Sequence, residues 1–444
     1  MTNYFRALYF LNNLIMRSYW KQEKLADYQN KRLRSIIKYA YDYVPFYHQK
    51  FKELGIKPYE IKTTQDLNKL PIIKKDEIRL NVEKMISQAF DKNDLKMLST
   101  SGSTGKPLFL FVSKSESEFR KAKHLRANMS CGQRPWDRWV TITAPHHFAE
   151  ATKLQEMLGL FAPTPISVFE DMTKQITLLD KIKPDVLDGY SSSLFLIAKQ
   201  IESGESNRIK PRIIFGGAEL LDAYSQKYVE TVLNAPFYDQ YSSVELERMA
   251  WQCSERRGYH IDADAVILQF VDSGGEEVSN GESGEIICTS LFNYAMPFIR
   301  YAISDVGIQS DELCTCGRSL PLMKVVEGRK DSLLVLSNGH IMTPRAFTIA
   351  MNMFKFYTYI DQFRVIQRRT DHFEFHIKMR DITHANRRPD ESLVERELVA
   401  HFSRIFRLNR DEMKFDVKFV EAIPLDKSGK LMTVVSALTP HSKP

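Results

Sequence analysis

Between Lys24 and Phe51 apolar residues recur at helical spacing, at Leu25, Leu33, Ile36, Ile37 and Ala40, which predicts a helix. Val44-Pro45 interrupts it, because the residue before a proline is pushed out of the helical region. Farther along, short apolar runs alternate with helical stretches. Glu116 to Met129 and Ile176 to Ile182 read as helices, and Trp139 to Thr143 and Asp185 to Tyr190 as strands ending in turns. A helix over Leu194 to Ile201 comes next, then a buried strand Ile213-Ile214-Phe215 running into Gly216-Gly217, then a helix over Tyr224 to Leu233. Strands alternating with helices predict a wound α/β sheet whose loops converge on one edge.

From Ala265 the pattern changes to short strands and glycine turns, beginning with Val266 to Phe270 and Gly284 to Cys288. Leu333 to Leu336, Asn338-Gly339 and Ile341 carry a hairpin signal. Alternating strands around Phe363 and Phe373, a helix over Leu393 to Phe406 and a strand around Val417 complete a compact α+β unit. The expected fold is therefore α/β. A large, multi-lobed N-terminal domain with wound sheets spans 1–330, and a small α+β C-terminal lid spans 331–444.

At 444 residues the chain exceeds what one core supports, in agreement with two or more lobes. Its 62 basic and 55 acidic residues give a net charge of +7 with no long basic run, so nucleic acid is not indicated. Arg6, Asn12, Asn13 and Arg17 make the apolar stretch Tyr4 to Trp20 too polar for a transmembrane segment. It reads as a helix packed on the protein's own core, with an interfacial helix as the alternative. Five cysteines, an odd number without a secretory signal, point to a reducing cytoplasm.

The chemistry concentrates in Ser99-Thr100-Ser101-Gly102-Ser103-Thr104-Gly105-Lys106-Pro107, between two apolar runs. Gly102 and Gly105 let backbone N–H groups approach an anion, the hydroxyls add donors and Lys106 adds charge, which suits a polyphosphate. It is not a P-loop, since Thr100 holds the first glycine position and Pro107 the magnesium-binding hydroxyl. Activating a carboxylate with ATP would need further groups that the chain offers elsewhere. Gly216-Gly217 allows close approach of a flat adenine, Glu219 can accept from its amino group, and Tyr241 offers an aromatic face. Glu245 is the best magnesium ligand, Asp305 can take both ribose hydroxyls, and Arg329 can bond ribose or phosphate. Near the C-terminus, Pro424 to Lys430 is a short glycine-hinged loop aiming a lysine. His146-His147-Phe148 follows a strand end and reads either as a pocket wall or as surface loop. His147, Phe148, Tyr190 and Ala218 are the candidate substrate-lining residues.

Separately, Cys253, His260, Cys314 and Cys316 offer three thiolates and an imidazole, a tetrahedral structural zinc set, with reduced core thiols as the alternative.

The phosphate-binding loop, Tyr-x-x-x-Pro-Phe-Tyr at Tyr41 to Tyr47, Leu70-Pro71-Ile72-Ile73-Lys74, Tyr241 to Glu245, Asp305 and Lys430 together resemble adenylate-forming enzymes of the phenylacetate–CoA ligase and CapK-like polysaccharide-biosynthesis type. The resemblance runs over nearly the whole chain. It implies that Glu245 binds magnesium, Asp305 binds ribose and Asp331 is an interdomain hinge. It also implies that Lys430 contacts the carboxylate and α-phosphate during adenylation and is then rotated away. The implied reaction joins an aromatic or medium-sized carboxylate to AMP with release of pyrophosphate, then passes the acyl group to a thiol, coenzyme A. Alternatives are transfer to an amine or sugar, AMP transfer to a hydroxyl, or a non-catalytic nucleotide-binding protein in polysaccharide assembly. The oligomeric state, a homodimer included, stays open. Two departures stand out. Val244 replaces the usual phosphate-facing hydroxyl, and Ala302-Ile303-Ser304-Asp305 replaces Arg-Thr-Gly-Asp.

Overall fold

The computed structural model describes residues 4–100, 108–149, 151–205, 208–219, 221–329, 334–336, 341–342, 347–348, 350–351, 353–380, 389–405, 413–426 and 431–438. For 4, 205, 325–329, 335, 341 and 342 only the backbone is described. The chain divides into two compact units. One comprises 1–219 with 229–326, the other 220–228 with 327–444.

The first unit is built on an eleven-stranded sheet. Its strands are β3 (Trp139–Thr143), β4 (Pro163–Ser167), β5 (Val186–Tyr190), β6 (Ile213–Gly217), β7 (Phe237–Ser243), β8 (Glu247–Gln252), β9 (Tyr259–Ile261), β10 (Val266–Val271), β11 (Ser283–Ser290), β12 (Tyr301–Ser310) and β13 (Leu322–Arg329). They lie in the order β10-β11-β12-β13-β9-β8-β7-β6-β5-β3-β4. From β4 to β7 neighbours run parallel, with helices Met172–Ile182 and Ser191–Gln200 among the connections. At β7 the direction reverses, and β7, β8 and β9 pair antiparallel. The wound α/β half and the strand-rich half expected from the sequence are thus parts of one sheet. A separate antiparallel pair, β1 (Lys96–Ser99) with β2 (Phe109–Val112), closes at its base through Thr100 and Leu108. The phosphate-loop residues Ser101 to Pro107 that follow Thr100 lie outside the described residues.

Packing follows the apolar pattern. Leu33, Ile36, Ile37 and Ala40 of the Gln22–Tyr43 helix enter the main core with Phe46, Ile73, Leu110, Met249, Phe270 and Phe298. Val44 is extended, at φ −115° and ψ 107°, so the helix stops before Pro45, and a second helix runs over Pro45–Leu54. The N-terminal helix Tyr4–Arg17 buries Leu11 and Leu14 against Ala122 of the Lys114–Ser130 helix. Its opposite face leaves Phe5, Leu8, Tyr9 and Met16 exposed. Where this helix ends, Arg17 Nε donates to Asp264 at 2.9 Å. Arg126 also binds Asp264, and it binds Asp262 at 2.6 Å, with its side chain fully buried. Buried carboxylates and guanidinium groups pair in charge here, and losing one partner of such a group costs about 3–5 kcal/mol. Among the described residues, no helix is long and apolar enough to cross a membrane.

The second unit carries the four-stranded sheet β18-β17-β16-β19, with β16 (Ile360–Arg369), β17 (His372–Met379), β18 (Lys414–Phe419) and β19 (Val434–Ser436). Phe363, Val365, Phe373, Phe375 and Ile377 face a core shared with Val394, Leu398 and Phe402 of the Glu391–Ile405 helix. The short strands β14 (Leu334–Val335) and β15 (Ile341–Met342) pair antiparallel, as the hairpin signal predicts.

Candidate active site and metal centre

Strand register assembles the first part of the site. Tyr190 at the end of β5 lies beside Gly217 of β6, and Gly217 lies beside Gln240 of β7. The carboxyl ends of parallel strands therefore present Tyr190, Gly217, Ala218, Glu219 and Tyr241 along one edge, where ligands collect in open α/β sheets. A Cβ at Gly216 would lie 2.0 Å from the Phe237 ring, and one at Gly217 would lie 3.0 Å from the Gln240 carbonyl. The two glycines thus have a packing reason of their own, the closeness of β7. Ala218 follows with φ +65°. Glu219 accepts from the Ser192 backbone N–H at 3.1 Å, in the first turn of the helix that starts after Tyr190. After β3, the His146 and His147 rings meet at a tilt of 48° in a single helical turn, centroids 4.1 Å apart.

The second part lies where β7 reverses into β8. Glu245 is buried, and its Oε1 accepts from Tyr301 Oη at 2.8 Å and Lys75 Nζ at 3.0 Å. Burial would push this carboxyl up, but the Lys75 charge and the Tyr301 bond outweigh it and hold it below the usual carboxylate range. An ionised oxygen donor held in place is the ligand type magnesium takes. Next to it, Tyr241 Oη donates to Asp305 Oδ2 at 2.7 Å, linking β7 to β12. The Tyr241 ring is buried in the main core cluster. Asp305 is thus tied to Tyr241, and Glu245, four residues on, to Lys75 and Tyr301, two partners that no sequence motif announces. Lys75 opens the Lys75–Leu80 helix, a stretch that looks like a plain solvated helix start. Its only sequence signal is a lysine after a Pro-x-x-Lys turn, with its partner 170 positions away.

Several non-glycine residues have a positive φ, some at these places and others, such as Phe161, Lys183 and Asn234, elsewhere. Besides Ala218, Glu247 (φ +61°) and Ser304 (φ +67°) adopt the left-handed conformation that favours glycine. They flank Glu245 and Asp305, and such strain of about 1–3 kcal/mol per residue collects at functional sites. Ser304 occupies the glycine position of the resembled Arg-Thr-Gly-Asp pattern, so the turn is kept without the glycine. The side chain of Arg329 is not described, and Lys430 and Asp331 lie outside the described residues.

A third cluster stands on the antiparallel half. The ligand atoms of Cys253, His260, Cys314 and Cys316 all lie within 4.8 Å of one another. Cys253 Sγ is 3.5 Å from Cys314 Sγ, and Cys316 Sγ is 3.3 Å from His260 Nε2. A tetrahedron with bonds of about 2.3 Å has edges of roughly 3.7 Å, so these separations fit one ion. Nδ1 of His260 lies 3.4 Å from the Leu320 carbonyl, which can only accept; that contact leaves Nε2 facing the thiols. Burial pushes the His260 imidazole down to about 4, so it is neutral and able to ligate at neutral pH. Gly317, at φ +80°, turns the chain after Cys316. Of the other two cysteines, Cys288 is buried in the main core and Cys131 donates to the Gln252 carbonyl.

Comparison with known proteins adds context. No protein-family model matches the chain. It is 26% identical over 329 residues to the phenylacetate–coenzyme A ligase of Thermus thermophilus, covering 72% of this chain and 74% of that one. It is 27% identical over 303 residues to protein CapK of Staphylococcus aureus, covering 65% and 64%. Among solved structures, 2-hydroxyisobutyryl-CoA ligase in the postadenylation state superposes with a TM-score of 0.78 at 18% identity, covering 96% of this chain and 92% of that one. The fold is that of the adenylate-forming CoA ligases, and in sequence the chain stands beside phenylacetate–CoA ligases and CapK.

Proposed function

We propose that this chain is an adenylate-forming acid–thiol ligase of the phenylacetate–CoA ligase and CapK kind. It activates a small carboxylate with ATP, releases pyrophosphate, and passes the acyl group from the acyl-adenylate to the thiol of coenzyme A. The observation that carries this reading is the buried, ionised Glu245 beside the Tyr241–Asp305 pair, on a fold shared with a CoA ligase.

In this reading the carboxylate oxygen attacks the α-phosphorus of ATP, the bond to the pyrophosphate oxygen breaks, and pyrophosphate leaves. Glu245 would hold the magnesium that accompanies the nucleotide, and that ion would supply neutralisation of phosphate charge. Asp305 receives the ribose hydroxyls, with Tyr241 donating to its Oδ2 and fixing its orientation. Glu219, with the backbone of Gly217, takes the adenine edge, and Arg329 adds a bond to ribose or phosphate. Ser101 to Lys106 cradle the β- and γ-phosphates, and Tyr190, Ala218 and His147 line the acyl pocket. Lys430 neutralises charge at the reacting centre, and Asp331 is the hinge that withdraws it before thiol attack. Cys253, His260, Cys314 and Cys316 hold a structural zinc, supported by the tetrahedral edge lengths. An odd number of cysteines, three of them placed as metal ligands, supports a reducing, cytoplasmic setting.

The direct test is exchange of labelled pyrophosphate into ATP across a carboxylate library, followed by product identification with coenzyme A present. Exchange with none of the acids would remove the ligase reading, and an acylated amine or hydroxyl as product would replace the acceptor. Glu245→Gln keeps a hydrogen-bond acceptor but loses the charge. It is expected to raise the Mg2+ needed for half-maximal exchange by about 10–100-fold. A Mg2+ titration of the exchange rate checks this.

A further inference from the structure

The segment carrying Glu245 is read, residue by residue, by one helix. From the Lys114–Ser130 helix, Arg120 donates through Nη2 to the Val244 carbonyl at 2.7 Å and through Nη1 to the Glu245 carbonyl at 3.1 Å. One turn on, Lys123 Nζ donates to the Leu246 carbonyl at 2.9 Å. The next residue, His124, brings Nδ1 to 3.3 Å from Glu247 Oε1. Positions 120, 123 and 124 share one helix face, so the four consecutive residues from Val244 to Glu247, where β7 passes into β8, meet three side chains of that face. Asn293 Nδ2 adds a second donor to the Glu245 carbonyl at 3.0 Å.

The geometry of Arg120 is specific. The Val244 carbonyl belongs to the peptide plane before the Glu245 Cα, and the Glu245 carbonyl to the plane after it. A rigid, forked guanidinium bonded to both fixes φ and ψ of Glu245, which a point-charge lysine could not do. The turn needs such holding, because Glu247 is left-handed and the β7–β8 register shifts at Tyr241/Ser242. Val244 offers no hydroxyl of its own and packs its side chain against the main core.

We propose that Arg120 is the positioning residue for Glu245, holding both flanking peptide planes so that the carboxylate is fixed for the cation of the nucleotide. The inference rests on the reading of Glu245 given above. It places the control of magnesium affinity on a helix that carries no ligand of the ion.

The test uses the full chain with Arg120→Lys and Arg120→Gln, beside Glu245→Gln. Mg2+-dependent ATP binding is read by calorimetry, and pyrophosphate exchange is titrated with Mg2+ and with carboxylate. Arg120→Lys is expected to raise the half-saturating Mg2+ by about tenfold in both measurements, with KM for the carboxylate unchanged. Arg120→Gln should shift it at least as far; if that variant does not fold, the lysine variant decides. A parent-like Mg2+ response in Arg120→Lys while Glu245→Gln is impaired overturns the positioning role and leaves the Glu245 reading standing. Weaker Mg2+, ATP and carboxylate binding in equal measure also overturns it, as general loosening. A parent-like Mg2+ response in Glu245→Gln removes the Glu245 reading itself, and the inference falls with it.

Discussion

Lys430→Ala is expected to lower carboxylate-dependent pyrophosphate exchange by on the order of 10²–10³-fold while leaving ATP affinity within about twofold of the parent. Negative charge builds on the oxygens around the α-phosphorus only as the carboxylate attacks, so a cation aimed there contributes to the transition state and little to nucleotide binding. The described residues on either side of Lys430 are bonded to β16. Arg364 donates to the Pro424 carbonyl at 2.7 Å and to the Met432 carbonyl at 2.9 Å, and Val365 N–H donates to Thr433. One guanidinium thus ties both flanks of the loop to β16. Preformed acyl-adenylate should still reach the thiol at nearly the parent rate, because the lysine has no charge to stabilise in that step. Equal loss of both half-reactions in a folded variant would remove this role.

The second large effect concerns metal and stability. Purified protein is expected to carry about one zinc per chain, and Cys314→Ser should lose most of it and lower Tm by on the order of 10 °C. Cys253, Cys314 and His260 are buried among Leu25, Ala127, Trp251, Leu320 and Leu322, and the His260 ring lies against Trp251. An ion there cross-links the β8–β9 turn to the segment before β13, two stretches otherwise joined by the short β9–β13 pairing. Elemental analysis and a melting curve of the reduced protein decide the matter. Metal-free protein of full stability would leave four ordinary core side chains.

What the sequence disclosed and what it hid divide along physical lines. The Val44-Pro45 break, the buried run Ile213-Ile214-Phe215 and the alternation of Phe373, Phe375 and Ile377 follow from local sterics and periodicity, and the structure has elements at each. The cysteine–histidine set was legible because few residue types make soft ligands, whatever their spacing. Lys75 and Arg120 were not legible. Their partners lie 170 and 125 positions away, and neither sits in a pattern that sets it apart from other basic residues on amphipathic helices. Ser304 and Ala218 hid for the opposite reason. Their left-handed backbone is normally announced by glycine, and neither residue is one.

The clasp between Arg17 and Asp264 bears on how the protein is made. The Tyr4–Arg17 helix is synthesised well ahead of Asp264, with Phe5, Leu8, Tyr9 and Met16 on a face that stays exposed even in the finished molecule. Its carboxylate partner follows 247 residues later. At about 5–20 residues per second that delay is roughly 12–50 s, far longer than a helix needs to form. Until then the Arg17 guanidinium can lie over the Tyr28 ring and Leu11 and Leu14 can pack on the Lys114–Ser130 helix, but the carboxylate that clasps the helix end is missing. The charged clasp at the end of this helix therefore closes only after its apolar packing has become possible.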